Sequence, residues 1–327
     1  MAQVKINTQR LAAIKKRQGS DKWGKDYVAA IFATPKEAPG ICRPSTLVPQ
    51  KLGGRDMHLL SLPEKSAGLL SLYDPDTWEI QEQKVLSSGP RPHFLFAHPR
   101  AHGIHWPPLK GTVDVADRMG RLKKHPKVKF QNPKTSEWQW VPFPYIGDLL
   151  LYRQDEIGVY CVNWTVKDKY KDFKKRGPRA SNASSQDAIT EEANQRHELE
   201  RLYYLDGEIR TVQVAGEAIN WHVVANLAEL FLHHGRRVAI DTNVRRKLVE
   251  GFIDSIGAPA PVYEHIRRLS RQLVINEKIV QTVLRQGIWN REIRIDLYQP
   301  LLMDQPLKPE TRDVLDQYSG WFKRYES

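Results

Sequence analysis

Glu64, Asp148 and Lys167 are the residues of this sequence whose types and spacing can do chemistry. Glu64 stands three residues after Ser61 in "SLPEKSAGLLSLY", Asp148 follows a glycine and opens "DLLLY", and Lys167 closes "VYCVNWTVK". Two carboxylates on neighbouring elements suit a hard, oxygen-seeking cation such as Mg2+ or Mn2+. Such an ion polarises a phosphate and lowers the pKa of a bound water. A lysine beside it orients that water or meets the charge growing on the phosphate. Asn163, Thr165 and Lys167 alternate with Val162, Trp164 and Val166. A strand sends alternate side chains to opposite faces, so these three polar groups share one face of an otherwise apolar strand.

The elements that must position these residues are legible in part. Ser61 and Glu64 have the spacing of a capping box at the start of a helix, and a proline in the first turn is tolerated. "DPDT" reads as a turn and "WEIQEQKVL" (Trp78 to Leu86) as a strand. Val141–Tyr152 and Ile157–Lys167 read as two strands joined by "RQDE". "ITEEANQRHELERLYYL" reads as a helix, "IRTVQVAG" as a short strand, and "NWHVVANLAELFLHHG" as another helix. Strands and helices in this order describe a mixed α/β core. Residues 1–20 read as a short basic amphipathic helix or frayed arm, and 33–54, rich in Pro and Gly, as an extended wrapping segment. Residues 89–140 read as an insertion or long β-ribbon. Beyond Gly235 come three helices, "NVRRKLVEGFIDSIG", "PVYEHIRRLSRQLV" and "NEKIVQTVLRQG". The hairpin-like stretch "IWNREIRIDLYQPLLM" follows. Helices then a ribbon resemble a winged helix-turn-helix. The expected division is therefore 1–235 and 236–327.

Composition narrows the partners. The chain has 327 residues, 40% hydrophobic and 27% charged, with a formal net charge of +12. That charge points first to nucleic acid, then to acidic membranes or proteins. Only Cys42 and Cys161 are present, which excludes a disulfide framework and any multi-cysteine zinc module. No apolar run is long enough to span a bilayer and no secretory h-region opens the chain, so a reducing cytoplasm is the expected compartment.

Several runs carry a resemblance. "GKDY", "HLLSLPEKSAGLLSLYDPDTWEIQEQ", "GDLLLY", "VNWTVK" and "ELERLYY" stand in the order found in the TnsA endonucleases. These are subunits of heteromeric cut-and-paste transposases, of the PD-(D/E)xK, restriction-endonuclease-like class. The resemblance is closest over about residues 24–83 and 147–235, and looser over the C-terminal helices, whose pattern looks like the winged-helix domain of that family. It implies a mixed sheet flanked by helices, Glu64, Asp148 and Lys167 as catalytic residues, and Mg2+ or Mn2+ as cofactor. It implies 5′-strand cleavage at transposon ends in a bacterial, nucleoid-associated setting. The implied partners are a TnsB-type DDE transposase and a TnsC-type AAA+ ATPase. One position departs from the family. The slot two before the lysine, usually Glu or Gln, is Thr165, a weaker metal contact than a carboxylate. The Val166 carbonyl remains a candidate ligand and Asn163 a support. An alternative expectation is a catalytically weakened assembly module that bridges transposase, ATPase and DNA.

Each feature also has a plainer reading. Glu64 can be a capping glutamate, Asp148 a turn aspartate, and Lys167 a solvated strand end. His93, His98, His102 and His105 fit no standard zinc spacing and read as a surface loop. The run Lys169, Lys171, Lys174, Lys175, Arg176 and Arg179 follows the proposed site closely and is a candidate contact to the DNA backbone. Arg245, Arg246, Arg267 and Arg268 suit DNA or an acidic partner equally. Trp138, Trp140, Trp164 and Trp221 read as core or edge packing rather than base-stacking platforms.

Overall fold

The computed structural model describes residues 6–39, 43–131, 135–174 and 186–326, with the backbone alone over 186–193. Its secondary structure begins with α1 (Thr8–Gln18), β1 (Ser45–Leu47), β2 (Met57–Leu59), α2 (Leu62–Tyr73), β3 (Thr77–Glu82) and β4 (Val85–Leu86). There follow α3 (Thr112–Arg118), β5 (Lys127–Gln131), β6 (Trp138–Pro142) and β7 (Tyr145–Ile146). The first unit is completed by β8 (Leu149–Gln154), β9 (Val159–Lys167), α4 (Gln186–Leu205) and β10 (Arg210–Ala215). Helices α5 (Trp221–His234), α6 (Thr242–Ile253), α7 (Val262–Leu273) and α8 (Glu277–Trp289) come after it. No helix among the described residues is long and apolar enough to cross a membrane.

The chain forms two compact units. One holds residues 1–68, 76–218 and 321–327, the other 69–75 and 219–320. The sequence places α5 with the first unit and the last residues with the second; by contacts, α5 lies in the second and Trp321 onward in the first.

The first unit is α/β. Its main sheet has the order β10-β9-β8-β3, with β10 parallel to β9 and the other pairs antiparallel, so the sheet is mixed. Alternation in β9 is strict. Val159 and Cys161 pack with Leu150 and Tyr152 of β8 and with Leu199, Tyr203 and Tyr204 of α4. On the opposite face Trp164 meets the rings of Trp321 and Phe322, and its indole N–H donates to the Trp321 carbonyl at 2.8 Å. Tyr160 and Arg153 both donate to the Phe322 carbonyl, and Arg324 forks onto Asp155. The returning C-terminal residues thus cover the back of the strand whose front carries Asn163 and Thr165.

Beside β3 a buried ion pair ties the loop before β2 to the sheet. Arg55 donates from both terminal nitrogens to the two Glu82 oxygens, each at 2.9 Å, and Glu82 also accepts from the His58 amide at 3.0 Å. Both side chains are almost fully buried.

Three expectations are corrected here. Val141–Tyr152 is not one strand but the end of β6, then β7, then β8. Residues 89–140 are not a bare ribbon, because Phe94, Leu95, Leu109 and Val115 belong to the same apolar cluster as β8, β9 and α4. His93 is not a surface histidine; it is buried and stacked on Trp106 at 4.7 Å, and burial pulls its pKa down to about 4. The N-terminal helix is docked, since Arg17 donates to the Ala30 carbonyl and to both oxygens of Glu37.

The second unit packs α5, α6 and α7 around α8, which is buried from Thr282 to Trp289. Gly251 of α6 allows close approach to α7, because a Cβ there would lie 2.5 Å from Leu269. The hairpin expected over 288–303 is absent. Burial of Ile288 and Trp289 carries α8 on to Trp289, and the chain beyond makes a single bridge, Ile295 with Pro309. Ile293, Ile295 and Leu297 are buried in alternation, so the stretch is extended as its pattern suggests. Its main-chain groups find a side chain instead of a partner strand. Asn226 donates to the carbonyls of Leu297 and Gln299 and accepts from the Leu301 amide.

Candidate active site

Glu64 reaches its place through its helix cap. The Ser61 hydroxyl accepts from the Glu64 amide at 3.3 Å and donates to Glu64 Oε1 at 3.1 Å. Glu64 Oε2 accepts from the Leu60 amide at 2.8 Å and from Gln83 Nε2 at 3.0 Å. One carboxylate therefore caps α2 and also faces the sheet, two roles that are separate in a reading of the spacing.

Asp148 sits one residue before β8, at the edge of the ladder. Its Oδ2 accepts from the Val166 amide at 2.7 Å and its carbonyl from the Gln83 amide at 2.9 Å. In a strand the N–H and C=O of one residue lie on the same side. The Val166 carbonyl therefore looks toward the Asp148 edge as well. Gln83 holds both carboxylate elements together, from a left-handed backbone with φ 51°. Such a conformation is costly for a residue with a side chain and persists only where its surroundings hold it.

Thr165 and Asn163 are buried under α4. Both donate to one oxygen of Glu200, from Asn163 Nδ2 at 3.0 Å and Thr165 Oγ1 at 3.1 Å. Glu200 is the residue that pattern reasoning passes over. It delivers a carboxylate from α4 to the strand position where Thr165 has none. A Cβ at Gly147 would lie 3.5 Å from Glu200 Oε1 and 3.2 Å from the Tyr204 hydroxyl, so the glycine leaves room for this approach.

Three buried carboxylates thus gather without an ion-pair partner among the described residues. Glu64 and Glu200 are each pushed up to about 7, first by burial and second by the negative charge of Asp148. Asn163 Oδ1 and the Tyr204 hydroxyl are buried with no hydrogen-bond partner. Lys167 is half-buried at the end of β9 and near enough to His197 to help burial lower that imidazole to about 3. The His197 ring stays neutral beside the lysine, with its Nδ1 unpartnered.

The donor chemistry fits a divalent cation. The oxygens are hard and negatively charged, and Mg2+ is usually held by one or two carboxylates plus water. Glu64, Asp148 and the Val166 carbonyl are the residues that would hold it. Among the described residues no group of three or more His, Cys, Asp or Glu side chains is placed to hold a metal ion. Glu200, drawn to Asn163 and Thr165, stands behind that pair.

The remaining candidates fall in two groups. Lys169, Lys171 and Lys174 are exposed on the turn directly after Lys167. Lys175, Arg176 and Arg179 lie outside the described residues. Arg245 forks onto Glu292, Arg246 pairs with Glu250, Arg267 lies 4.0 Å from Glu277, and Arg268 donates to Ser255, all within the second unit.

The raised carboxyls make a prediction. A folded pKa of about 7 against about 4.5 unfolded means the folded state holds protons that the unfolded chain has released. The stabilisation is complete below pH 4.5 and is lost as pH rises through about 7. Glu79, also at about 7, acts in the same sense, whereas the neutral His93 and His197 act against it. The measurement is therefore a difference. Glu200→Gln should gain on wild type by roughly 2–3 kcal/mol between pH 5 and pH 8, at 1.36 kcal/mol per pKa unit. Parallel denaturant midpoints across that range would show that the carboxyl is not raised.

The molecule so described is an α/β protein whose mixed sheet brings buried carboxylates together beside a lysine. Among known proteins, no family model matches the chain and no curated protein matches it significantly.

Proposed function

We propose that this chain is a metal-dependent DNA endonuclease of the PD-(D/E)xK type, the TnsA-like subunit of a transposase that cleaves the 5′ strand at transposon ends. The observation that carries the reading is the set of buried, unpaired carboxylates. Glu64 and Glu200 both feel Asp148, and that excess of negative charge calls for protons or for a cation. A bound Mg2+ or Mn2+ supplies charge to polarise the scissile phosphate and acidify a water. Asp148, fixed by the Val166 amide, and Glu64, fixed by its cap and Gln83, hold and orient that charge. Lys167 meets the negative charge that grows on the phosphate. Glu200 orients Asn163 and Thr165 and adds a second layer of negative charge behind Asp148. Lys169, Lys171 and Lys174 lie where a DNA backbone approaching Lys167 would pass. The second unit, in this reading a winged-helix relative without its wing, offers Arg245, Arg246, Arg267 and Arg268 to DNA or to a TnsC-type ATPase.

The test is cleavage of labelled end DNA by this chain with a TnsB-type partner, each strand read separately. Magnesium-dependent 5′-strand cuts are expected. Vigorous cutting without the partner would indicate a stand-alone restriction-type nuclease instead. Intact 5′ strands alongside normal 3′ cleavage would favour the second reading, a weakened assembly module. Two observations favour that reading: Thr165 spends its hydroxyl on Glu200, and no three-carboxylate group among the described residues is placed around one metal.

The two roles of Glu64 separate by mutation. Ser61→Ala removes a cap, worth about 1 kcal/mol of stability, and should leave cleavage within a fewfold of wild type. Glu64→Ala removes the ligand and should lower cleavage about a hundredfold or more. Equal losses in a strand-resolved assay would mean that Glu64 serves the helix alone.

A further inference from the structure

The β5–β6 ribbon has one face in the core and one in solvent. Val128 packs with Leu11 and Ile14 of α1, and Lys15 of α1 lies over the Phe130 ring at 5.9 Å. Directly opposed residues of an antiparallel pair share a face. The register sets Lys129 opposite Trp140 and Gln131 opposite Trp138, so the outer face carries Lys127, Lys129, Trp138 and Trp140. Trp138 is 59% exposed and Trp140 64%. The expectation of core or edge packing therefore fails for both, as it does for the exposed Trp221, and holds for Trp164. Large exposed aromatics interleaved with lysines need an external reason.

We propose that this outer face binds single-stranded DNA, with bases stacked on Trp138 and Trp140 and phosphates on Lys127 and Lys129. Charge is complementary: from Arg121 to Pro142 the sequence has one acid, Glu137, against Arg121, Lys123, Lys124, Lys127, Lys129 and Lys134. Lys129 lies over the Trp138 ring at 5.9 Å, so cation and ring form one surface. Residues two apart on a strand are separated by about 6.8 Å, room for one planar base between two rings. A duplex keeps its base faces stacked inside, whereas single strands offer them to aromatic platforms. An acidic protein would use the lysines and leave the indole faces uncovered. The choice of DNA over RNA rests on the nuclease reading; the stacking surface does not.

Binding is measured by anisotropy of a labelled oligothymidylate of about 20 nucleotides, in EDTA so that no cleavage is needed. Wild type is expected to bind, and Trp138→Ala/Trp140→Ala to bind about tenfold weaker per ring removed. Trp138→Phe/Trp140→Phe should keep most of the affinity. Lys127→Ala/Lys129→Ala should flatten the salt dependence, by about 0.7 in log–log slope for each phosphate no longer neutralised. Hydroxyl-radical footprinting of the unaltered chain provides a second measurement. The oligonucleotide should protect Trp138 and Trp140 but not Trp221, which is also exposed. Unchanged affinity in the double alanine variant, or no protection, overturns the proposal. So does a duplex or a polyglutamate that binds as well with the same tryptophan dependence. An oligouridylate bound more tightly would overturn the choice of DNA. Failure of cleavage with intact binding would count against the nuclease reading alone.

Discussion

Asp148→Ala is expected to lower 5′-strand cleavage about a thousandfold or more while the protein stays folded. Charge stabilisation by a metal is worth several kcal/mol, and each 1.36 kcal/mol is tenfold in rate. Asp148 is the one carboxylate that both Glu64 and Glu200 feel, and it receives the Val166 amide. In the nuclease reading its removal takes away one metal ligand, and it frees Glu64 and Glu200 from a neighbouring negative charge. That relief is opposed by the Val166 amide, left without its acceptor, so denaturant unfolding of the variant is measured beside cleavage. Glu200→Ala acts from behind, and an outer partner of this kind costs about 10–100-fold. Thr165→Ala removes only a hydroxyl that donates to Glu200 and should cost less still. The order Asp148, then Glu200, then Thr165, read by strand-specific cleavage, is the prediction. Wild-type cleavage by Asp148→Ala would remove this cluster from the chemistry.

Arg55→Met is expected to destabilise the first unit by about 3–5 kcal/mol, the usual cost of leaving one partner of a buried ion pair alone. Glu82 would be left in a fully buried position with only the His58 amide donating to it, and the Ile80 carbonyl would lose a donor. That is a large part of the roughly 5–15 kcal/mol by which native proteins are stable. Adding Glu82→Gln should recover most of the loss, because an amide oxygen still accepts from His58 and carries no charge. Denaturant unfolding of both variants gives the comparison. No recovery in the double variant would mean that the loss comes from the Arg55 contacts to main chain.

What was legible in the sequence was periodicity. Strand β9 follows its alternation from Val159 to Lys167, and α5 to α8 follow their apolar stripes within a few residues. The Ser61 half of the capping box is present, while the Glu64 carboxylate reaches the Ser61 hydroxyl and the Leu60 amide in place of the Ser61 amide. Glu200 was not legible. In "HELERLYY" it stands between Leu199 and Arg201 and reads as one more charge on a solvated helix, and only the packing of α4 on β9 shows that it is buried. Gln83 was hidden for the same reason, since its two bonds reach Glu64 and Asp148 across long sequence distances. The wing failed differently. Residues 293–297 alternate as a strand does, but alternation reports extended backbone and says nothing of a partner, which here is the amide of Asn226. Trp138 and Trp140 were misjudged because large aromatics are usually buried on average, and only register tells which face of a two-stranded ribbon meets solvent.

The residues that back β9 stand more than 150 positions further along the chain. Trp164 is covered by Trp321 and Phe322, and Asp155 is gripped by Arg324, at sequence separations of 157 to 169. A ribosome makes about 5–20 residues per second, so this face of the sheet stays uncovered for on the order of ten seconds after Trp164 is made. Contacts of such span are slow to form. A fragment ending at residue 235 would keep all three carboxylates yet leave an apolar sheet face bare, an invitation to aggregate. The carboxylate side of β9 and its tail-covered side are thus separated in time as well as in space. The first can be translated early, but the strand that carries it is shielded only after Trp321, Phe322 and Arg324 have been made.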